Sequence, residues 1–295
     1  MEVLSKFEPF LFYGLIKGFI YALLAVGFCL VYKTTRIFNI AYGFVYTSAA
    51  YFALFFLVKL SMGVTLAVGL SLLLTCALGW GMEKLVYFPL KLKGSSPGVY
   101  LVSSIGVYVI GINMIALIFG SRSQILNTTA GKPITIHVTS LTRIQIFQFL
   151  FSLLLLPGFF WLLKKFKLGK KITALSNDAE LFKIFGWNEK SVRSSIFILS
   201  SLFAGTASLL LAFDMGMTPY VGMNALLIGA AAMIIGGTKN IIGAAVAGIC
   251  LGIIQNVVVW LTSARWEQAV TFGILILYLL VAGKKISGKV RIEEE

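Results

Sequence analysis

A run of about twenty apolar residues can cross the 30 Å hydrocarbon core of a bilayer as one helix. This chain holds roughly nine such runs, at 10–32, 39–60, 64–88, 98–119, 144–163, 194–213, 224–237, 241–261 and 268–283. Inside lipid every backbone N–H and C=O must be satisfied internally, so spans of this kind fold as helices. The expected fold is therefore all-α: a polytopic integral membrane protein with eight to nine transmembrane helices. Several runs are rich in glycine, which allows broken or re-entrant segments among them. No linker divides the apolar series, so residues 1–295 are read as one transmembrane domain, with a single large polar insertion at 164–193.

Charge supports the same class. Only 12% of residues are charged, and the mean hydropathy is +0.94; a soluble domain carries about 25% charged residues. A net charge of +14 suggests nucleic acid at first sight. The basic residues argue against that, because they sit in short segments between spans, which is the positive-inside pattern of membrane proteins. With 164–193 in the cytoplasm, Lys33, Arg36, Lys84, Lys91, Lys93, Lys239, Lys284, Lys285, Lys289 and Arg291 fall on that side. Lys6, Lys59, Arg122, Lys132, Arg143 and Arg265 fall on the other. The expected orientation is N-terminus outside and C-terminus in the cytoplasm, with Glu293–Glu295 a solvated tail. The first run is too long for a signal-peptide core and lacks a small-residue cleavage site. Cys29, Cys76 and Cys250 lie inside apolar runs without metal-like spacing and read as small buried hydrophobes.

The insertion begins with a cationic cluster, Lys164, Lys165, Lys167, Lys170 and Lys171, and continues as a short amphipathic helix. Asn177 is the expected N-cap, with Glu180 completing a capping box. Asp178 and Glu180 in the first turn and Lys183 in the last suit the helix dipole. Gly186 stops the helix and Asn188 begins another. Leu181, Ile184 and Phe185 share one face, with Phe182 and Trp187 at its margins. A helix this short needs support, since about 12–15 residues are required for stability alone in water. Its face must rest on lipid or in a protein groove.

Two polar interruptions, 33–43 and 214–224, each feed an apolar run, in opposite halves of the chain. Paired interrupted segments point to a solute path, although turn chemistry at a helix start explains the same residues. Asn39, Tyr42, Gly43, Thr47, Thr218, Pro219, Tyr220, Gly222 and Asn224 are the groups placed there. The loop 120–143 is long and polar, with an extended stretch at 134–138. It is either a seat for a soluble partner or a connector. It carries the only histidine, His137, and the sequon Asn127-Thr128-Thr129, neither read as functional. Lys17 either snorkels to the interface or lines a cavity. Glu83 and Lys84 read as interfacial. Asn113, Gln255 and Asn256 glue helices or face the path. Gly248 and Gly252 form a GxxxG pair for close helix packing.

Several chemistries have nothing to work with. No GxxxxGK[ST] phosphate loop occurs, and no Ser-His-Asp, Cys-His or HExxH set can be assembled. The expectation is no enzyme, no cofactor and no metal site. The runs hold no series of buried carboxylates to relay protons. A pore-forming subunit powered by a partner is the consistent reading.

Four motifs add a family. The run from Gly14, GLIKGFIYALLAVGFCLVY, is followed by NIAYG at Asn39, then ALSNDAELFKIFGWN at Ala174 and TPYVGMNALLIGAAAMIIGG at Thr218. In this order they resemble the permeases of branched-chain amino acid ABC transporters, over nearly the whole chain. The resemblance implies an ABC-importer permease that moves branched-chain amino acids or related small solutes across the inner membrane. It implies a second permease subunit, identical or related, two ATPase subunits and a soluble substrate-binding protein outside. It also implies that Asn177, Asp178, Glu180, Leu181, Phe182, Ile184, Phe185, Gly186 and Trp187 form the segment that docks on the ATPase. Tyr42, Phe44, Thr173, Ile228, Ile242 and Gln255 depart from the residues usual in that family, which leaves the solute open. A passive channel or secondary carrier, and a non-transporting scaffold subunit, are the other readings.

Overall fold

The computed structural model describes residues 2–126, 134–136 and 139–290. Its helices are α1 (Glu2–Thr35), α2 (Tyr42–Leu54), α3 (Val64–Met82), α4 (Phe88–Leu92), α5 (Pro97–Phe119), α6 (Arg143–Lys165), α7 (Lys167–Asn177), α8 (Ala179–Ile184), α9 (Glu189–Met215), α10 (Val221–Gly236), α11 (Ile241–Leu261) and α12 (Glu267–Val290). Two π-helical turns interrupt this series: Phe55–Lys59 extends α2, and Glu83–Tyr87 joins α3 to α4. Between α5 and α6, strands β1 (Ile134–Ile136) and β2 (Thr139–Leu141) pair antiparallel, Ile134 opposite Leu141. His137, Val138, the Asn127 sequon and the Glu293–Glu295 tail lie outside the described residues.

Seven segments are long and apolar enough to cross a membrane, and two shorter apolar helices, Val221–Gly236 and Glu267–Val281, complete the set. All nine coincide with the runs read from the sequence. At 1.5 Å per residue α10 rises roughly 24 Å, short of the hydrocarbon core. This is the broken type of segment expected there.

Burial separates the centre from the rim. Buried residues make up 83% of the apolar stretch of α1 and 72% of that of α9. The corresponding shares are 22% for α3, 28% for α5 and 22% for α6. The rim helices turn leucines such as Leu66, Leu117 and Leu154 outward, as a lipid-facing surface requires. α1 packs on α11 through small residues: a Cβ on Gly252 would lie 2.3 Å from Gly18 Cα, and one on Gly248 2.7 Å from Ala22 N. The GxxxG pair thus closes a contact within the subunit, where missing side chains let the backbones touch.

α1 and α9 run antiparallel. Gly27 lies against Ser200 and Phe203, while Ile20 and Met215 border one cavity. The short connection after α1 and the one after α9 therefore leave from opposite ends of the bundle. α7 packs against α1 and α9, burying Ile172 and Leu175, and leads through α8 into the start of α9. This defines an α7–α8 end and, opposite, a hairpin end.

Two sequence expectations change here. Glu83, read as interfacial, is buried in protein against Arg193: their side chains are 1% and 4% exposed and form a two-pronged pair, Nε to Oε1 at 2.5 Å and Nη2 to Oε2 at 3.2 Å. Two charges can be buried this way because each satisfies the other. The cap of α8 also shifts by one residue. Asn177 ends α7, and the Asp178 carboxylate accepts from Glu180 N at 2.8 Å and Leu181 N at 2.9 Å. The lysines Lys167, Lys170 and Lys171 lie on α7. Asn188 caps α9 as expected, accepting from Ser191 N at 3.2 Å.

Candidate functional site

The two polar interruptions are brought together. α2 and α10 begin side by side. A Cβ on Gly222 would lie 2.1 Å from Gly43 O and 2.3 Å from Thr47 Oγ1. Any side chain larger than hydrogen at this crossing forces the helices apart. The segment before α2 arrives from the α7–α8 end and the segment before α10 from the hairpin end. Both helix starts meet inside the bundle.

The residues around this crossing divide into two sets. Asn39, Tyr42 and Thr47 are buried and internally bonded. Asn39 Oδ1 accepts from the Tyr87 hydroxyl at 2.6 Å, the Tyr42 hydroxyl donates to Leu24 O at 3.1 Å, and the Thr47 hydroxyl donates to Gly43 O at 3.1 Å. Pro219 is buried, Thr218 half-buried, and Tyr220 and Asn224 are exposed. Asn224 alone of the nine borders the adjoining cavity of about 620 Å³. That cavity lies among α1, α2, α9, α10, α11 and α12. Its apolar wall includes Ile20, Leu24 and Ile228, and its polar wall Arg265, Glu267 and Gln255.

The polar wall was not legible as a unit in the sequence. Lys17 donates to Glu267 Oε1 at 3.0 Å, and the Tyr21 hydroxyl donates to the same oxygen at 3.2 Å. The pair ties α1 to α12, with Lys17 bonded to a residue of the cavity wall. Gln255 is 1% exposed, donates to the Thr271 hydroxyl, and its own carbonyl oxygen accepts no hydrogen bond. Asn113 and Asn256 bond back to Val109 O and Gly252 O on their own helices. No group of three or more metal-ligating side chains occurs among the described residues.

At the α7–α8 end the short helix turns its apolar side outward. Leu181 is 49% exposed, Ile184 79% and Phe185 66%. Phe182, expected at the margin, is the anchor: it is 1% exposed and meets the Trp187 ring edge-on at 5.1 Å. Gly186 adopts φ +72°, the left-handed turn that lets Trp187 fold back. The helix is thus held by one aromatic and offers three other apolar side chains.

The family model described as branched-chain amino acid transport system / permease component matches residues 10–279. The chain belongs to this family. Curated relatives agree over nearly full length. The high-affinity branched-chain amino acid transport system permease protein BraD of Pseudomonas aeruginosa is 27% identical, covering 95% of each chain. The corresponding permease LivH of Escherichia coli K12 is 27% identical over 96% of each. A probable LivH of Methanocaldococcus jannaschii is 29% identical over 90% of this chain and 88% of the relative. A solved structure, PsaBC from Streptococcus pneumoniae in complex with Fab, shares the fold with a TM-score of 0.51 at 13% identity, covering 92% of this chain and 91% of that one.

As a branched-chain amino acid permease component, the chain is a multi-pass membrane transport protein. Membership in this family implies ATPase and binding-protein partners in general terms. The exposed side of α8 lies at one end, and at the other the loop after α5 is pinned to the second interruption. There Gln124 and Met217 exchange backbone hydrogen bonds at 2.8 Å each. Gln145, which closes a capping box with Thr142, also donates to the Asp214 carboxylate at 3.3 Å.

Proposed function

We propose that this chain is the membrane-spanning permease of an ABC importer for branched-chain amino acids or related small solutes. It works in the inner membrane with two ATPase subunits, a second permease subunit and a soluble substrate-binding protein. The observation that carries the reading is the exposed apolar side of α8 on a helix otherwise anchored and capped. Leu181, Ile184 and Phe185 are only partly covered within the described residues, and an apolar groove on an ATPase supplies the rest. The lysine-rich side of the bundle then faces the cytoplasm and the N-terminus lies outside, as the positive-inside pattern requires.

The cavity bordered by Asn224, Gln255 and Glu267 is the chain's share of the solute path. Its aliphatic wall suits a small apolar side chain, and its polar wall offers acceptors and a cation for the charged end of an amino acid. The crossing of Gly43 and Gly222 is the joint beside it. Asn39, Tyr42 and Thr47 support that joint from within the bundle.

The test is the double substitution Leu181→Asp with Phe185→Asp. Two carboxylates cannot enter an apolar groove without losing their hydration, at a cost of several kcal/mol. Both side chains are exposed, so the permease itself should fold normally. The expected result is loss of ATPase co-purification and loss of uptake at unchanged expression. A double variant that retains its ATPase and still transports sinks the docking assignment.

A further inference from the structure

The α7–α8 end holds more charge chemistry than docking requires. Glu189, the first residue of α9, pairs with Lys91 on α4 and lies 3.7 Å from Lys183 on α8. One turn further along α9, Arg193 holds Glu83 in the buried pair described above. Glu83 opens the π-helical turn Glu83–Tyr87, and Tyr87 closes it. The Tyr87 hydroxyl donates to Asn39 Oδ1 at 2.6 Å, within the segment that leads into α2. From α8 to the first interruption there is thus an unbroken series of direct side-chain bonds and short helical steps.

Three features separate this series from ordinary packing. A buried ion pair is a poor way to gain stability, because well-packed apolar residues of similar volume serve as well or better. What the pair adds is a directional, geometry-specific tie between α9 and the turn before α4. A π-helical turn is a local irregularity that occurs mostly at functional positions. Here its two ends carry the two side chains that make the long-range bonds. The far end of the series, Asn39, lies outside the regular helices, where few bonds hold it: besides the Tyr87 hydroxyl, Tyr42 N donates to Asn39 O at 3.2 Å and Ser104 accepts from Ile40 N at 3.3 Å.

We propose that Arg193, Glu83 and Tyr87 are positioning residues that transmit displacement of α8 to the start of α2. When the docked ATPases move α8, α9 moves with it, because only Gly186, Trp187 and their neighbours separate the two helices. Arg193 then draws the π-helical turn, and Tyr87 draws Asn39. The α2 start slides against α10 at the Gly43–Gly222 crossing, beside the cavity. The inference rests on α8 being the ATPase contact, and it concerns what happens after docking.

The experiment uses the complete importer in proteoliposomes, with leucine as the probe. The double substitution E83L with R193L removes both charges together and leaves none unpaired. Tyr87→Phe removes only the hydroxyl that reaches Asn39. Leucine taken up per ATP hydrolysed is measured together with ATPase co-purification and the melting temperature. The expected result for the double variant is a retained ATPase, near-normal melting and a fall of about tenfold in leucine per ATP. Tyr87→Phe should lower the same ratio less. An unchanged ratio in a folded double variant overturns the proposal, as does loss of the ATPase, which would assign the pair to shaping the docking surface. Should the double variant not fold, Tyr87→Phe decides: a lowered ratio supports transmission and an unchanged one overturns it. The Leu181 and Phe185 variants fail by losing the ATPase, so the two ideas fail in different ways.

Discussion

The two interrupted segments meet at one glycine crossing but are restrained in different ways. The first, leading into α2, is gripped by side chains: Tyr87, whose own turn is fixed by a buried ion pair, and Ser104, which bonds Ile40 N and Phe38 O. The second, leading into α10, is gripped by backbone. Met217 and Gln124 exchange two main-chain hydrogen bonds, with a carboxamide on Asp214 beside them. The first grip depends on particular side chains and connects to the α8 end. The second depends on loop shape and connects to the loop between α5 and α6. In the proposed importer, one joint answers to partners on both faces of the membrane, each through its own segment. A ligand or partner shifts such an equilibrium only by its differential affinity for the two positions. Separate restraints let two partners contribute separately.

The comparison can be broken at its strongest point first. Glu83→Ala leaves Arg193 buried without a counter-charge, and losses of about 3–5 kcal/mol are expected for a pair broken on one side. A melting curve in detergent should show it, with recovery in the charge-free double variant E83L with R193L. If Glu83→Ala melts like the parent, the pair is not buried as described. The crossing itself comes next. Gly222→Val places atoms where Gly43 O and Thr47 Oγ1 already stand, and overpacking of this kind costs about 1–3 kcal/mol. The same melting experiment should register it, together with lost uptake. A stable, active valine variant would separate the two helix starts.

Tyr87→Phe should cost about 1 kcal/mol, one buried hydrogen bond, while lowering uptake more than stability. Parallel changes in both would reduce that grip to packing. The smallest effect belongs to the second segment. Gln145→Ala removes a part-buried bond to Asp214 and half of a capping box, for about 0.5–2 kcal/mol. Its sharper reading is specificity: receptor-stimulated hydrolysis should fall while basal hydrolysis stays. Equal falls in both would remove the distinction between the two grips.

The spans were plain in the sequence because lipid imposes one strong rule, and hydropathy alone found all nine. The Asn188 cap and the pairing of the two interruptions were legible for similarly local reasons. What was missed is long-range. Glu83 and Arg193 are 110 positions apart, and Lys17 and Glu267 are 250 apart. Glu83, Arg193 and Glu267 sit near the end of an apolar run, where a solvated interfacial residue is the ordinary expectation. The cap of α8 was missed by one residue because Asn177 and Asp178 are both good caps. The choice was made by α7, which had already claimed Asn177 as its last residue. The cavity draws its lining from six helices, so no one motif announces it; only Asn224 among the expected path residues borders it.

The central claim is that ATP bound elsewhere moves this joint through α8. It is tested most directly by radiolabelled leucine uptake into proteoliposomes. These hold the chain with its ATPases, second permease subunit and receptor, and ATP is supplied on the α8 side. The account predicts accumulation above the outside concentration that requires both ATP and receptor and is abolished by Leu181→Asp with Phe185→Asp. Leucine that merely equilibrates, at the same rate with and without ATP, would contradict it and identify a passive channel.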